Sequence, residues 1–268
     1  MSNEKLLENI LNGIKKPKEQ IFKTGFKELD SIFTEVENSS IITIAGRPAM
    51  GKTAFALTLL KNFCKQNKKC LYLSSRESEK LLLKRILIQN AEIPFYKINE
   101  SKLKKEEIEQ LELAKNEISN WNFKIEYLSS LELINIENVL EQLKPNYVFI
   151  EDIQLFMYDN DWILKELKNL AHKYSLIIFI TSSLSRNLEK RADKRPFLYD
   201  LKQTATIEDT SDIVMMIYRE DYYDYKFDLK DNTEIIIAKN NFGGVSTFHL
   251  NFDPKFAKFS EVSKNYSF

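Results

Sequence analysis

Apolar positions along the chain follow two different periods. Between residues 3 and 15, Leu6, Leu7, Ile10, Leu11 and Ile14 fall three and four apart, one apolar stripe on a polar helix. Lys16-Pro17-Lys18 then breaks it. From Phe22 onward, short apolar runs alternate with longer amphipathic stretches. The runs at 41–45, 69–73, 124–128, 147–150 and 176–181 predict strands, and the stretches at 53–66, 79–90, 134–143 and 162–174 predict helices between them. The charged segment 101–120 predicts a helical hairpin. Further strands are expected at 213–218, 234–239 and 246–252, joined by short turns such as Phe242-Gly243-Gly244.

Strands that are apolar throughout, separated by helices, predict an α/β fold: a mostly parallel central sheet covered on both faces, with an antiparallel flank from the late strands. No internal repeat or low-complexity linker interrupts 20–268, which reads as one domain. Residues 1–19 read as a helical arm, whose stripe either packs on its own core or docks on a neighbour. Composition adds limits. Thirty-nine basic residues balance thirty-nine acidic ones, so net charge neither favours nor opposes a polyanionic partner. Cys64 and Cys70 lack both a disulfide framework and metal-ligand spacing, so they read as buried thiols of a reducing cytoplasm. The first twenty residues carry charges throughout, and the longest apolar run is too short to span a bilayer; neither a secretory signal nor a membrane partner is expected.

Candidate chemistry sits after the 41–45 strand. GRPAMGKT, from Gly46 to Thr53, fits G-x-x-x-x-G-K-[ST], a loop that cradles nucleotide phosphates. Strand before and helix after give the motif its required context. Gly46, Arg47, Pro48, Ala49, Met50, Gly51, Lys52, Thr53 and Ala54 are therefore expected to bind ATP. The Lys52 ammonium would face the β- and γ-phosphates, the Thr53 hydroxyl Mg²⁺, and the helix N-terminus the anion. Such a site needs a carboxylate at a nearby strand end to hold the metal. Glu151 and Asp152 follow the apolar 147–150 strand, and Glu151, being first, is the expected ligand.

These motifs, with TGFKELD, IEDIQLF, EIIIAKNNFGG and the long stretch from Ser183 to Glu220, closely resemble the C-terminal motor domain of DnaB-type replicative DNA helicases. The likeness covers about 20–260. It implies a RecA-like fold, ATP with Mg²⁺, single-stranded DNA as a ligand, and a ring in which each nucleotide lies between two subunits. It also makes the 3–15 helix the counterpart of a linker helix that docks on the adjacent subunit. The family's separate N-terminal domain has no counterpart in the sequence.

Several positions depart from the family text. Its water-polarising Glu falls on Arg76 in an ungapped reading, and a guanidinium cannot accept a proton. Glu77 is one residue along, and on an extended segment it would face the other way. The γ-phosphate-sensing Gln falls on Ser183. Of the Lys and Arg that reach into the neighbour's site, Lys239 is kept and the Arg becomes Asn241. On the DNA side, the loop at 157–161 is short and acidic. In the second DNA loop Lys202 keeps a charge for a phosphate, while Ala205 replaces a glycine. The sequence therefore supports two readings. One is a motor that binds ATP but hydrolyses it poorly, assembled with itself or with a companion helicase subunit. The other is an active ring helicase in which Glu77 or Asp152 serves as base. A basic cluster of Arg186, Arg191, Lys194 and Arg195, and an aromatic cluster of Tyr222, Tyr223, Tyr225 and Phe227, are each open to a packing or a binding role.

Overall fold

The computed structural model describes residues 2–14, 23–33, 36–100, 102–128, 133–155, 162–202, 204–223 and 233–262. Its strands are β1 (Ile41–Gly46), β2 (Cys70–Ser74), β3 (Phe123–Tyr127), β4 (Tyr147–Glu151), β5 (Ile177–Ser183), β6 (Ile213–Arg219), β7 (Thr233–Asn240), β8 (Thr247–Asp253) and β9 (Lys258–Glu261). The helices are α1 (Asn3–Ile14), α2 (Lys27–Ile32), α3 (Lys52–Lys65), α4 (Glu79–Ala91), α5 (Phe95–Asn99), α6 (Lys105–Ser119), α7 (Leu133–Leu143), α8 (Trp162–Tyr174) and α9 (Thr204–Thr210).

All nine strands form one sheet in the order β3-β2-β4-β5-β1-β6-β7-β8-β9. The first six in that order pair in parallel, and β7, β8 and β9 add the antiparallel flank. Strands β1, β2, β4 and β6 are buried at every position because helices cover both faces. On one face Phe55, Leu59 and Phe63 of α3 and Leu82 and Ile86 of α4 meet Tyr72, Phe149 and Phe179. Phe149 and Phe179 stack with ring centroids 4.8 Å apart, and Phe63 stacks on Tyr147 at 4.0 Å. On the other face Ile136 and Leu140 of α7 and Leu164, Leu167 and Ala171 of α8 cover Val148, Ile150, Ile178 and Ile180. Alternate residues of one strand thus serve two separate cores.

The structure differs from the sequence reading in one charged segment and in several short elements. Segment 101–120 is not a hairpin: α6 runs unbroken through 105–119, with no Gly or Pro to turn it, and packs along α4. The short elements α2, α5, α9 and β9 were not expected. Helix α1 forms as predicted, with Leu7 and Leu11 exposed. The Lys16-Pro17-Lys18 break, the acidic loop at 157–161, Gln203, Tyr225 and Phe227 lie outside the described residues. Among the described residues no helix is long and apolar enough to cross a membrane.

Candidate nucleotide site

The parallel strands β1, β2, β4 and β5 end along one edge of the sheet, where α/β folds place ligands. Gly46, Ser74, Glu151 and Ser183 are their last residues. A cleft of about 320 Å³ opens there, lined by the 48–54 loop, Arg76, Glu77, Arg85, Glu151, Asp152 and Thr181. The loop's shape is set locally. Gly51 takes φ +100°, and a Cβ there would lie 3.0 Å from the Phe259 ring, so both conformation and space require glycine. Ala49 also takes a positive φ, of 65°, and its carbonyl accepts a 3.3 Å bond from Arg219, whose guanidinium lies 4.4 Å over the Phe252 ring.

The Lys52 ammonium bonds back to the carbonyls of Gly46 (2.9 Å) and Arg47 (3.3 Å) across the loop's mouth. Burial pushes its pKa down to about 8, Asp152 acting against the shift and Arg76 with it. The Thr53 hydroxyl donates to Glu151 Oε1, and the Ser74 hydroxyl donates to Glu151 Oε2 at 2.8 Å. Burial raises the Glu151 carboxyl above its ordinary value, and the two hydroxyls oppose that rise. Thr53 and Glu151, the two residues expected at the metal, are thus brought together from different elements. The glycine-shaped loop, the N-terminus of α3, the buried cation and this hydroxyl–carboxylate pair fit a Mg²⁺–nucleotide. When bound, the metal supplies charge neutralisation to the phosphates.

Residues 75–77 are a bend, not the extended segment the sequence suggested. The Ser74 hydroxyl accepts from the N–H groups of Arg76 (3.3 Å) and Glu77 (3.0 Å), and this curls the chain so that both side chains face the cleft. Ser74, which sequence reading missed, therefore fixes both the acid and the bend. Glu77 is gripped by Arg85 through two bonds of 2.7 and 2.8 Å. Arg76 reaches Asp152 at 3.1 Å. Ser183 is met by Gln154, whose side-chain oxygen accepts its N–H at 3.1 Å and whose amide donates to Ser182 at 2.6 Å.

Lys239 and Asn241 lie towards the opposite edge. In the β6–β7 pairing Lys239 faces Val214, whereas Gly46 pairs with Ile217. At about 3.3 Å per residue the two levels differ by roughly 10 Å along the strands. The Lys239 ammonium donates to the Glu208 carbonyl at 2.6 Å, and the Asn241 N–H to the Asp212 carbonyl. Lys202, the residue expected to meet DNA, is exposed beside the end of β5, its N–H 3.5 Å from the Ser183 carbonyl. The basic cluster is largely paired internally: Arg191 with Asp200 at 2.7 Å, Arg195 with Glu234 at 2.6 Å. Tyr223 stacks on Tyr218 and bonds Glu189, which favours packing for that part of the aromatic cluster.

A family model described as "DnaB-like helicase C terminal domain" matches residues 22–261. The chain belongs to the DnaB-like helicase C-terminal domain family. It is 32% identical over 258 residues to the "Replicative DNA helicase DnaB" of Geobacillus stearothermophilus, covering 91% of this chain and 57% of that protein. Against the "Replicative DNA helicase DnaC" of Bacillus subtilis (strain 168) it is 31% identical, with the same coverage of 91% and 57%. The chain thus spans little more than half the length of these DnaB-like relatives. Among solved structures, one described as an ATPase domain superposes with TM-score 0.90 at 30% identity, covering 97% of this chain and 99% of that one. A second, "The Structure Of A DnaB-Like Replicative Helicase And Its Interactions With Primase", gives TM-score 0.89 at 30% identity, covering 98% of this chain and 67% of that one. The DnaB-type fold is therefore present from edge to edge, RecA-like sheet and antiparallel flank included.

Proposed function

We propose that this chain is a DnaB-type motor domain that binds Mg·ATP and assembles through α1, but turns ATP over slowly and moves along DNA poorly or not at all. The observation that carries the reading is the content of the cleft. Gly46, Gly51, Lys52, Thr53 and Glu151 supply the binding parts, while the position where the family carries its water-polarising Glu holds Arg76, which lines the cleft ion-paired to Asp152. A guanidinium cannot take the water's proton. Glu77, the carboxylate next in the chain, has both oxygens engaged by Arg85. In a ring, Asn241 cannot lend the charge that an arginine lends across a subunit boundary. The exposed Leu7 and Leu11 on α1 support a docking arm, seated on another copy of this chain or on a companion helicase subunit.

One observation favours a second reading. Glu77 lines the cleft, so a shift of Arg85 on nucleotide binding would release a carboxylate close to the phosphates. That chain would be an active ring helicase with Glu77 as general base.

Steady-state ATP hydrolysis with and without single-stranded DNA separates the two. General-base assistance is worth about 10²–10⁴ in rate, and an arginine finger about 10³–10⁵. The chain is expected to turn over little above background and to ignore DNA. Arg76→Glu alone should help modestly; Arg76→Glu with Ser183→Gln and Asn241→Arg should help far more. DNA-stimulated turnover of the unmodified chain that Glu77→Gln eliminates would establish the second reading instead.

A further inference from the structure

Among the described residues six charged side chains line the cleft, three of each sign: Lys52, Arg76 and Arg85 against Glu77, Glu151 and Asp152. Arg85 and Glu77 hold each other through two bonds. Glu151 is held by Thr53 and Ser74, and Lys52 by two loop carbonyls. Arg76 is different. Among the described residues its guanidinium bonds Asp152 alone, and its side chain is 66% exposed. Its backbone, by contrast, is anchored by Ser74, and Ser78 caps α4 two residues later. A rooted arginine with most of its five N–H donors open therefore stands on the wall of a phosphate cleft.

Charge gives this arginine a direction. It acts on the Lys52 ammonium and helps to depress its pKa, while Asp152 acts on Lys52 in the opposite sense. Two cations thus face one space; Asp152 and Glu151 both act against the shift on Lys52, and Asp152 is also the ion-pair partner of Arg76. The arginine end of this pair is exposed (66%) and the Asp152 end largely sheltered (14%), so water screens the pair only from the arginine side, where the guanidinium is free to turn. A phosphate offers the planar fork two oxygens at once and is the better partner.

Resting on the nucleotide-binding reading above, we propose that Arg76 is a ligand, supplied by the same subunit, for the terminal phosphate of a nucleoside triphosphate. On binding it exchanges Asp152 for the γ-phosphate. The substitution that removes a base from this position thereby makes the chain a reader of triphosphate against diphosphate that needs no arginine from a neighbour. Asp152 suits the exchange. It is the residue just after β4, held at φ +58° with its N–H on the Thr181 hydroxyl at 2.7 Å, so releasing Arg76 leaves its backbone in place.

Calorimetric titration of the full chain with Mg²⁺ and either the β,γ-imido analogue of ATP or ADP tests this by binding alone, independently of turnover. Arg76→Ala is expected to weaken the triphosphate analogue about tenfold or more, as for loss of a charge-assisted bidentate contact, and ADP less than about twofold. Arg76→Lys should recover part of the loss, because it keeps the charge without the fork. Melting of each variant without nucleotide verifies the fold, and Arg76→Gln, closer in size, should repeat the selective loss. Equal weakening of both nucleotides, or of neither, would overturn the proposal. Failure of the unmodified chain to bind either nucleotide would remove the site itself, and the proposal with it. Selective loss in a chain that hydrolyses ATP quickly would still support Arg76 as the γ-phosphate ligand while overturning slow turnover.

Discussion

Replacing Glu151 by Gln should move stability and metal-dependent binding in opposite directions. Glu151 is 3% exposed, and burial holds its carboxyl above the ordinary 4.5. Above pH 4.5, and until the raised value is reached, the folded chain therefore carries more protons than the unfolded one. The stability tied to that proton is complete below pH 4.5 and is lost as pH rises through the folded pKa. A full proton is worth about 1.4 kcal/mol per pH unit across this window. Glu107, Glu117 and Glu137 are shifted downwards instead, so their effect falls below pH 4.5 and has the opposite sign. Gln cannot ionise, and its amide can still bond the Thr53 and Ser74 hydroxyls. At neutral pH the ligand-free variant should thus be at least as stable as the parent, with the downward slope above pH 4.5 reduced. It should also lose the Mg·ATP-dependent rise in melting temperature. Ligand at a hundredfold excess over Kd is worth about 2.7 kcal/mol, which at about 2–4 °C per kcal/mol makes that rise roughly 5–10 °C. Urea unfolding between pH 4.5 and neutrality, with thermal melts with and without Mg·ATP, reads both effects. The same pH slope in both proteins, or an intact Mg·ATP shift in the variant, would refute the reasoning.

Two further outcomes are expected. Lys52→Ala should abolish the Mg·ATP thermal shift, and the parent's nucleotide affinity should fall as pH rises past about 8, where the unliganded Lys52 loses its proton; a pH-independent affinity above that point, by titration, would contradict the second part. Deleting residues 1–17 should shift the protein towards monomer by light scattering on a sizing column, since the exposed Leu7 and Leu11 are removed with the arm; an unchanged mass would discard the docking role.

The long elements were legible because burial on both faces leaves a plain pattern. The 147–150 run could only be an interior strand, and the stripe on 162–174 predicts α8 to its observed ends, Trp162–Tyr174. What the pattern missed is short or polar. Strand β9 has four residues and one fully buried side chain, Phe259, so no period can develop. Helix α9, TATIEDT, carries one aliphatic side chain larger than alanine. At the candidate site, the strand–loop–helix setting of residues 46–53 and the place of Glu151 at the end of β4 were legible from spacing alone. The facing of Glu77 was not, because it depends on a hydroxyl of Ser74 that bends the backbone, and no residue-by-residue alternation reports such a bond. Gln154 was missed for a similar reason: its contact joins the 3-10 turn after β4 to the end of β5 and leaves no trace in sequence spacing.

The two edges of the sheet separate the consequences of the departures. Arg76 and Ser183 stand at the cleft edge, so under the proposed function each would act on the nucleotide of its own subunit. Asn241 is held to Asp212 near the start of β6, whose far end flanks the phosphate loop, so within one subunit it is directed away from the cleft. Under the ring reading, a defect at Arg76 stays with the subunit that carries it, and a defect at Asn241 is passed to the next. No single reversion can then complete any one site in a ring of identical chains unless both edges are repaired together. Under the proposed function, the same geometry would let binding persist while turnover fails. The groups proposed to hold ground-state phosphates, the glycine-shaped loop, Lys52 and Thr53 with Glu151, lie within one chain. The replaced groups would, on that reading, be those that act on a transition state, and part of that set would belong across a boundary.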